Sequence, residues 1–204
     1  TGSNTNEGSS VAQMNFGQIA VGDYNFPGFY AFTAGDNFSL NATNSGINST
    51  IGVGGDSVGS ISSDQVVFFT PVSLGNRANI FIESSGQFSG NATEFYVNVG
   101  SVGGNQFYCK SSFSAVDDFS LTVNSSGDSK GGGIGGYFIG DITGGQQVHF
   151  ENSCIMGNNA SIIITNTGST SSNTTNSIQV GSLMGYGKQL FTEGLFQVQD
   201  DFVL

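Results

Sequence analysis

The chain has 204 residues, only 9% of them charged, and a formal net charge of −11. Its four basic side chains, Arg77, Lys110, Lys130 and Lys188, form no cationic stripe that could displace counterions, which excludes nucleic acid as a partner. No run of about 18 apolar residues exists, so no helical membrane span is encoded.

The polar share is carried by Gly, Ser, Thr and Asn, with 32 Gly in all. Gly and Asn oppose long helices, and the β-branched and aromatic residues favour strands. A hydrophobic content of 37%, with 18 Phe and no Trp, is enough to build a core and argues against disorder. The chain opens on TGS with no Met, which fits a removed signal peptide or a shortened sequence.

In chain order, a polar leader, TGSNTNEG, precedes SSVAQMNFGQIAVGDYNF, and the apolar residues of this stretch predict a strand over 11–21. Short apolar or alternating runs predict further strands over 28–33, 37–41, 65–70, 78–84, 94–99 and 106–109. The same signal marks 113–123, 134–142, 146–151, 160–166, 177–184 and 189–199. NATNSG, SSGQFSGNAT, NSSGDSKGGG and NTGSTSSNTTN read as the turns between them. Many short strands with such spacing predict an all-β fold, an antiparallel β-sandwich of pilin-like or Ig-like type. No strict repeat of 20–50 residues is read from the sequence.

Cys109 and Cys154 are the only cysteines, and neither has a His or Cys at metal-ligand spacing. The expectation is a Cys109–Cys154 disulfide in an oxidising location, with two buried thiols as the alternative. Asn-x-Ser/Thr sequons stand at Asn37, Asn41, Asn48, Asn91, Asn124, Asn159 and Asn173. Several fall in predicted turns, where an N-linked glycan projects into solvent.

Enzyme signals are weak. GDSVG at 55–59 matches the nucleophile-elbow pattern around Ser57, but the next residues, SISSDQVVFF, read as loop and strand rather than helix. A triad of Ser57, Asp141 and His149 has an allowed order, yet His149 reads as an exposed strand residue. GGGIGG at 131–136 matches a dinucleotide fingerprint without the helix that a phosphate site needs. Asp117–Asp118 and Asp200–Asp201 lack calcium-loop spacing and read as solvated turns. No cofactor or metal is expected.

The strand-like amino end SSVAQMNFGQIAV, the all-β body, the sequon load and the charge-poor composition together resemble the thread pilins, the surface filament subunits of thermoacidophilic archaea. The resemblance implies donor-strand complementation, in which the amino-terminal strand fills a groove in the next subunit. On that reading residues 1–22 are a donor tail and 23–204 the sandwich body. The donor face would include Val11, Ala12, Met14, Phe16, Ile19, Ala20 and Val21. The strand alternatively pairs inside its own domain, and LFQVQDDFVL at the carboxyl end is a second donor candidate. The implied function is a non-enzymatic, glycosylated extracellular filament subunit, a homopolymer serving adhesion or biofilm scaffolding. A monomeric lectin-like or surface-layer module is the alternative.

Overall fold

The computed structural model describes residues 19–22, 31–48, 56–58, 65–89, 91–92, 97–99, 104–129, 132–133, 137–139, 146–170, 178–180 and 188–204. Within them the chain is all-β, and every strand pairing is parallel. The antiparallel sandwich expected from the alternation is therefore corrected to a parallel β-solenoid, a stack of coils in which each turn of chain adds one strand to each sheet.

The first sheet runs in the order Ile19–Val21, Val66–Phe68, Phe107–Cys109, Gln146–Phe150 and Lys188–Thr192. A second runs Phe32–Ala34, Val72–Leu74, Phe113–Ala115, Cys154–Met156 and Phe196–Val198. The third is the long one: Ser39–Asn48, Asn79–Phe88, Ser120–Ser129 and Ala160–Thr170, with Phe202–Val203 on its edge. A fourth, Asp56–Val58, Val97–Val99, Tyr137–Ile139 and Ile178–Val180, closes each coil, and Asn91–Ala92 pairs with Gly132–Gly133 between the last two.

Register partners stand 40, 41 or 42 residues apart, save for the step from Ile19 to Val66. The chain is thus a repeat protein with a period of about 41 residues, contrary to the sequence reading. Ile19, Ala20 and Val21 pair with Val66, Val67 and Phe68 of their own chain. That corrects their assignment to an intermolecular donor face. Val11, Ala12, Met14 and Phe16 lie outside the described residues.

Alternation places the core. Ile80 and Ile82 on one long strand, Leu121 and Val123 on the next, and Ile162 on the third turn inward and are fully buried. Phenylalanine fills the corner between the first two sheets. Phe68, Phe107 and Phe150 follow one another on successive rungs as tilted ring pairs, with centroids 5.9 and 5.5 Å apart. Phe113 meets Phe107 and Phe150 at 6.1 and 5.4 Å in edge-to-face contact, the arrangement that the ring quadrupole favours. The spine continues to Phe32 below and to Phe196 and Phe202 above.

Two polar ladders fix the coils in register. Gln65, Gln106 and Gln147 are buried in the first-sheet corner. Their amides reach across the coil and donate to the carbonyls of Glu83, Asn124 and Thr165 at 2.8, 2.6 and 3.1 Å. The Gln147 amide also donates to Gln106 Oε1 at 3.2 Å. Each brace satisfies a buried amide nitrogen that would otherwise destabilise the interior, whereas Oε1 of Gln65 and of Gln147 meets no donor among the described residues.

The second ladder is the turn between the second and long sheets. It repeats as Asp36-Asn37, Asn76-Arg77, Asp117-Asp118, Asn158-Asn159 and Asp200-Asp201, and the second residue of each pair has positive φ, from 44° to 61°. Among residues with a β-carbon Asn and Asp tolerate this left-handed conformation best, which explains four of the five, with Arg77 the exception. The Asp36 and Asp117 carboxylates accept the backbone N–H of Asn76 and Asn158, one rung on, each at 2.8 Å.

Candidate functional site

The outer face of the first sheet holds the densest chemistry. Tyr108, His149 and Phe191 are register neighbours. Tyr108 stacks on His149 with centroids 4.9 Å apart and an interplanar angle of 17°, and Phe191 covers the other face at 5.0 Å. The Tyr108 hydroxyl is hydrogen-bonded to Glu151. His149 Nε2 lies 3.0 Å from a Glu193 carboxylate oxygen. His149 is only 9% exposed, so its reading as an exposed strand residue is corrected. With both ring faces covered and Nε2 engaged by Glu193, the imidazole is built into the stack as a structural member.

The other triad candidates are not brought to it. Ser57 lies on Asp56–Val58 in the fourth sheet, and Asp141 falls outside the described residues. Gly132–Gly133 of the GGGIGG stretch forms a strand rather than a phosphate loop. Asp117–Asp118 and Asp200–Asp201 are the stacked turns described above. Among the described residues no group of three metal-ligating side chains comes together, and no helix is long and apolar enough to cross a membrane.

Cys109 and Cys154 are free thiols, both buried in the core, which corrects the expected disulfide. They point inward from adjacent coils, one from the first sheet and one from the second, within an apolar corner. Burial pushes the Cys109 thiol up to about 12, helped by the negative charge of Glu151. Burial also raises Cys154, with the neighbouring Cys109 adding to it. Both are therefore protonated at neutral pH. We predict no reaction with a thiol-specific disulfide reagent at pH 8 in the native state and two reactive thiols per chain after unfolding. The linkage has a definite sign: a raised folded value contributes stability that is complete below about pH 9, the ordinary thiol value, and is lost as pH rises towards 12. Denaturation midpoints at pH 8.5 and pH 11 should fall more for the wild type than for a Cys109→Ala/Cys154→Ala variant. Rapid labelling of the native protein at pH 8 would contradict the burial argument.

The long sheet presents the broadest face. Ser39, Asn79, Ser120 and Ser161 form one outward row across it. Next come Asn41, Phe81, Thr122 and Ile163, then Thr43, Glu83, Asn124 and Thr165, then Ser45, Ser85, Ser126 and Thr167. Strands are about 4.8 Å apart and rise about 3.3 Å per residue, so the rows make a regular lattice, mostly of hydroxyls and amides, interrupted by Phe81 and Ile163. Glu83 is the one charge in these four rows.

Two sequons stand on this face. Asn41 is exposed and Asn124 half-buried, both within long strands rather than in the turns expected for them. Thr43 Oγ1 donates to Asn41 Oδ1 at 3.0 Å, so the asparagine and its sequon hydroxyl already lie together. Asn37 and Asn159 occupy stacked turns, where Asn37 Oδ1 accepts from Arg77 and the Asn159 amide donates to Asp118. Asn48 and Asn91 have their backbones on strands, and Asn173 lies outside the described residues. No protein-family profile matches the chain, and neither a characterised protein nor a solved structure does.

Proposed function

We propose that this chain is a non-catalytic structural subunit of an extracellular, glycosylated surface assembly, with adhesion or scaffolding as its role. The observation that carries the reading is the long sheet's outer face: in-register rows dominated by Ser, Thr and Asn, with a single carboxylate, Glu83, and two apolar side chains, Phe81 and Ile163, among them. Hydroxyls and amides keep their hydration and their hydrogen-bonding capacity at any pH, so such a face serves as a constant contact surface for hydroxyl-rich polymers. A solenoid has no obligatory cleft, and its rigidity comes from repetition, which suits a spacer or rod. The exposed Asn41 with its Thr43 partner supports N-glycosylation on that same face.

The test is fractionation of native cells followed by mass spectrometry of sequon peptides. The expected result is the protein at the cell exterior with glycan mass on Asn41 and Asn124. Cytosolic location with unmodified asparagine at both positions would overturn the reading.

A further inference from the structure

The four outward rows of the long sheet hold Ser, Thr, Asn, the single acid Glu83 and two apolar side chains, Phe81 and Ile163. Phe81 is half-buried and Ile163 is 47% exposed. Strand propensity alone does not call for them there, since Thr serves a strand as well and leaves less apolar area in water.

Both stand beside sequon asparagines. Phe81 is the direct cross-strand partner of Asn41. Asn124 pairs with Glu83 on one side and with Thr165 on the other. Phe81 and Ile163 each lie two residues earlier on those strands, so they are the diagonal neighbours of Asn124 on the same face. A direct partner across a sheet lies about 4.8 Å away and a diagonal one about 7–8 Å. Both separations are within reach of a sugar ring joined to the asparagine.

The attachment point is already organised. Asn41 is exposed, and its Oδ1 accepts the Thr43 hydroxyl at 3.0 Å. That bond uses Oδ1 and not Nδ2, the atom through which an N-glycan is joined. It also restricts the amide's rotation, which lowers the entropy lost when an attached sugar settles on the sheet.

We propose that Phe81 and Ile163 are seats for this chain's own N-glycans: the first sugar on Asn41 rests on the Phe81 ring, and the first sugar on Asn124 rests on Ile163. The proposal rests on the glycosylated reading above and goes beyond it, because it gives the glycans a fixed place on the protein. A pyranose has one face dominated by C–H groups and a rim of hydroxyls. The C–H face covers apolar area that otherwise stays in water. The rim meets Thr122, Thr165 and the Glu83 carboxylate, which accepts the stronger, charge-assisted bonds. Glu83 lies between Thr43 and Asn124 in its row and follows Phe81 on its strand, so it is within reach of both sugars. The tether makes the contact intramolecular, so a seat too weak to hold a free sugar holds an attached one. That favours the chain's own glycan over a free polymer as the occupant.

The experiment puts a sugar at a chosen position on the 204-residue chain. Asn41→Cys is alkylated with an iodoacetamide derivative of N-acetylglucosamine, and with plain iodoacetamide as the sugar-free control. Cys109 and Cys154 are buried and stay unmodified. The sugar ring protons should show nuclear Overhauser contacts to the Phe81 ring and upfield shifts. The melting temperature should rise about 2–4 °C above the control's. Phe81→Ser in the same background should abolish all three effects. The matching Asn124→Cys conjugate should contact the Ile163 methyls and lose its stabilisation in Ile163→Ser. A sugar on Ser73→Cys, an exposed position between Thr33 and Ser114 on the second sheet, should show neither contact nor stabilisation. Sugar protons without contact to Phe81, and a melting shift that is the same with and without its ring, would overturn the proposal. So would self-association of the unmodified chain that Phe81→Ser abolishes, which would make the patch a contact between copies. The conjugates carry sugar whether or not the native protein does. A silent Phe81 therefore overturns the seats, whereas unmodified Asn41 and Asn124 in native material overturn the glycosylated reading.

Discussion

Phe107→Ala is expected to lower the unfolding free energy by about 3–5 kcal/mol, the range for truncating a fully buried aromatic. Phe107 is completely buried and touches three other rings, Phe68 below it, Phe150 above it and Phe113 across the corner. The loss combines the apolar area removed from water, the cavity left between rigid coils and the broken ring pairs. Relaxation is limited, because the adjoining backbone is held on both sides by ladder bonds to Val66–Phe68 and to Gln146–Phe150. Coils contact only their neighbours, so a defect in the middle rung also weakens the coupling between the two ends of the stack. Phe202→Ala is the control. Phe202 is 37% exposed, and Phe196 is its ring partner, so its truncation should cost about 1 kcal/mol or less. Urea titrations of both variants decide the matter. A similar loss for the two would mean that the phenylalanine spine does not organise the core. A reduced slope for Phe107→Ala would show that the coils unfold separately.

Most of the strands were legible, and their pairing was not. The alternation in 78–84 and 146–151 fits Asn79–Phe88 and Gln146–Phe150 because a half-buried strand has a period of two whatever its neighbours do. Parallel sheets usually reveal themselves by continuous apolar runs, since helices cover both faces. A solenoid exposes one face of each sheet, so its parallel strands alternate as antiparallel ones do. The polar segments misled for a related reason. NATNSG and NSSGDS looked like turns, yet they complete the long strands Ser39–Asn48 and Ser120–Ser129. Stacking supplies what these residues lack in strand propensity, since Gly46, Gly86, Gly127 and Gly168 fall in register with one another.

The repeat itself was available in the sequence. Gln65, Gln106 and Gln147 each precede an apolar residue, Val66, Phe107 and Val148, at a spacing of 41, and the turns that open on Asp or Asn recur with them. Low side-chain identity and a period drifting between 40 and 42 hid that signal. Nothing local distinguishes Cys109 and Cys154 as thiols from a disulfide pair. Their place in the corner follows only from the coil register.

Gly157→Val is the substitution that tests the turn ladder directly. The new β-carbon would lie 2.4 Å from Asp117 Oδ1 and 2.7 Å from the Val116 carbonyl oxygen. The carboxylate must retreat, which lengthens its 2.8 Å bond to the Asn158 nitrogen, and the two rungs must separate slightly. Overpacking of this kind costs about 1–3 kcal/mol, and the weakened charge-assisted bond places the expected loss at the upper end. The protein already contains the compensated form. Val116 occupies the same coil position over an amide, Asn76, whose oxygen stands back at 3.4 Å. Asp117→Asn/Gly157→Val reproduces that pairing one rung higher and should recover about 1 kcal/mol relative to Gly157→Val alone. Asp117→Asn by itself removes a charge-assisted hydrogen bond without relieving any clash, so it should be mildly destabilising. The sign of the coupling energy in this double-mutant cycle is the decisive quantity. A favourable coupling means that acid-under-glycine is a steric and electrostatic pairing. Simple additivity would mean that glycine at these rungs answers only to the backbone.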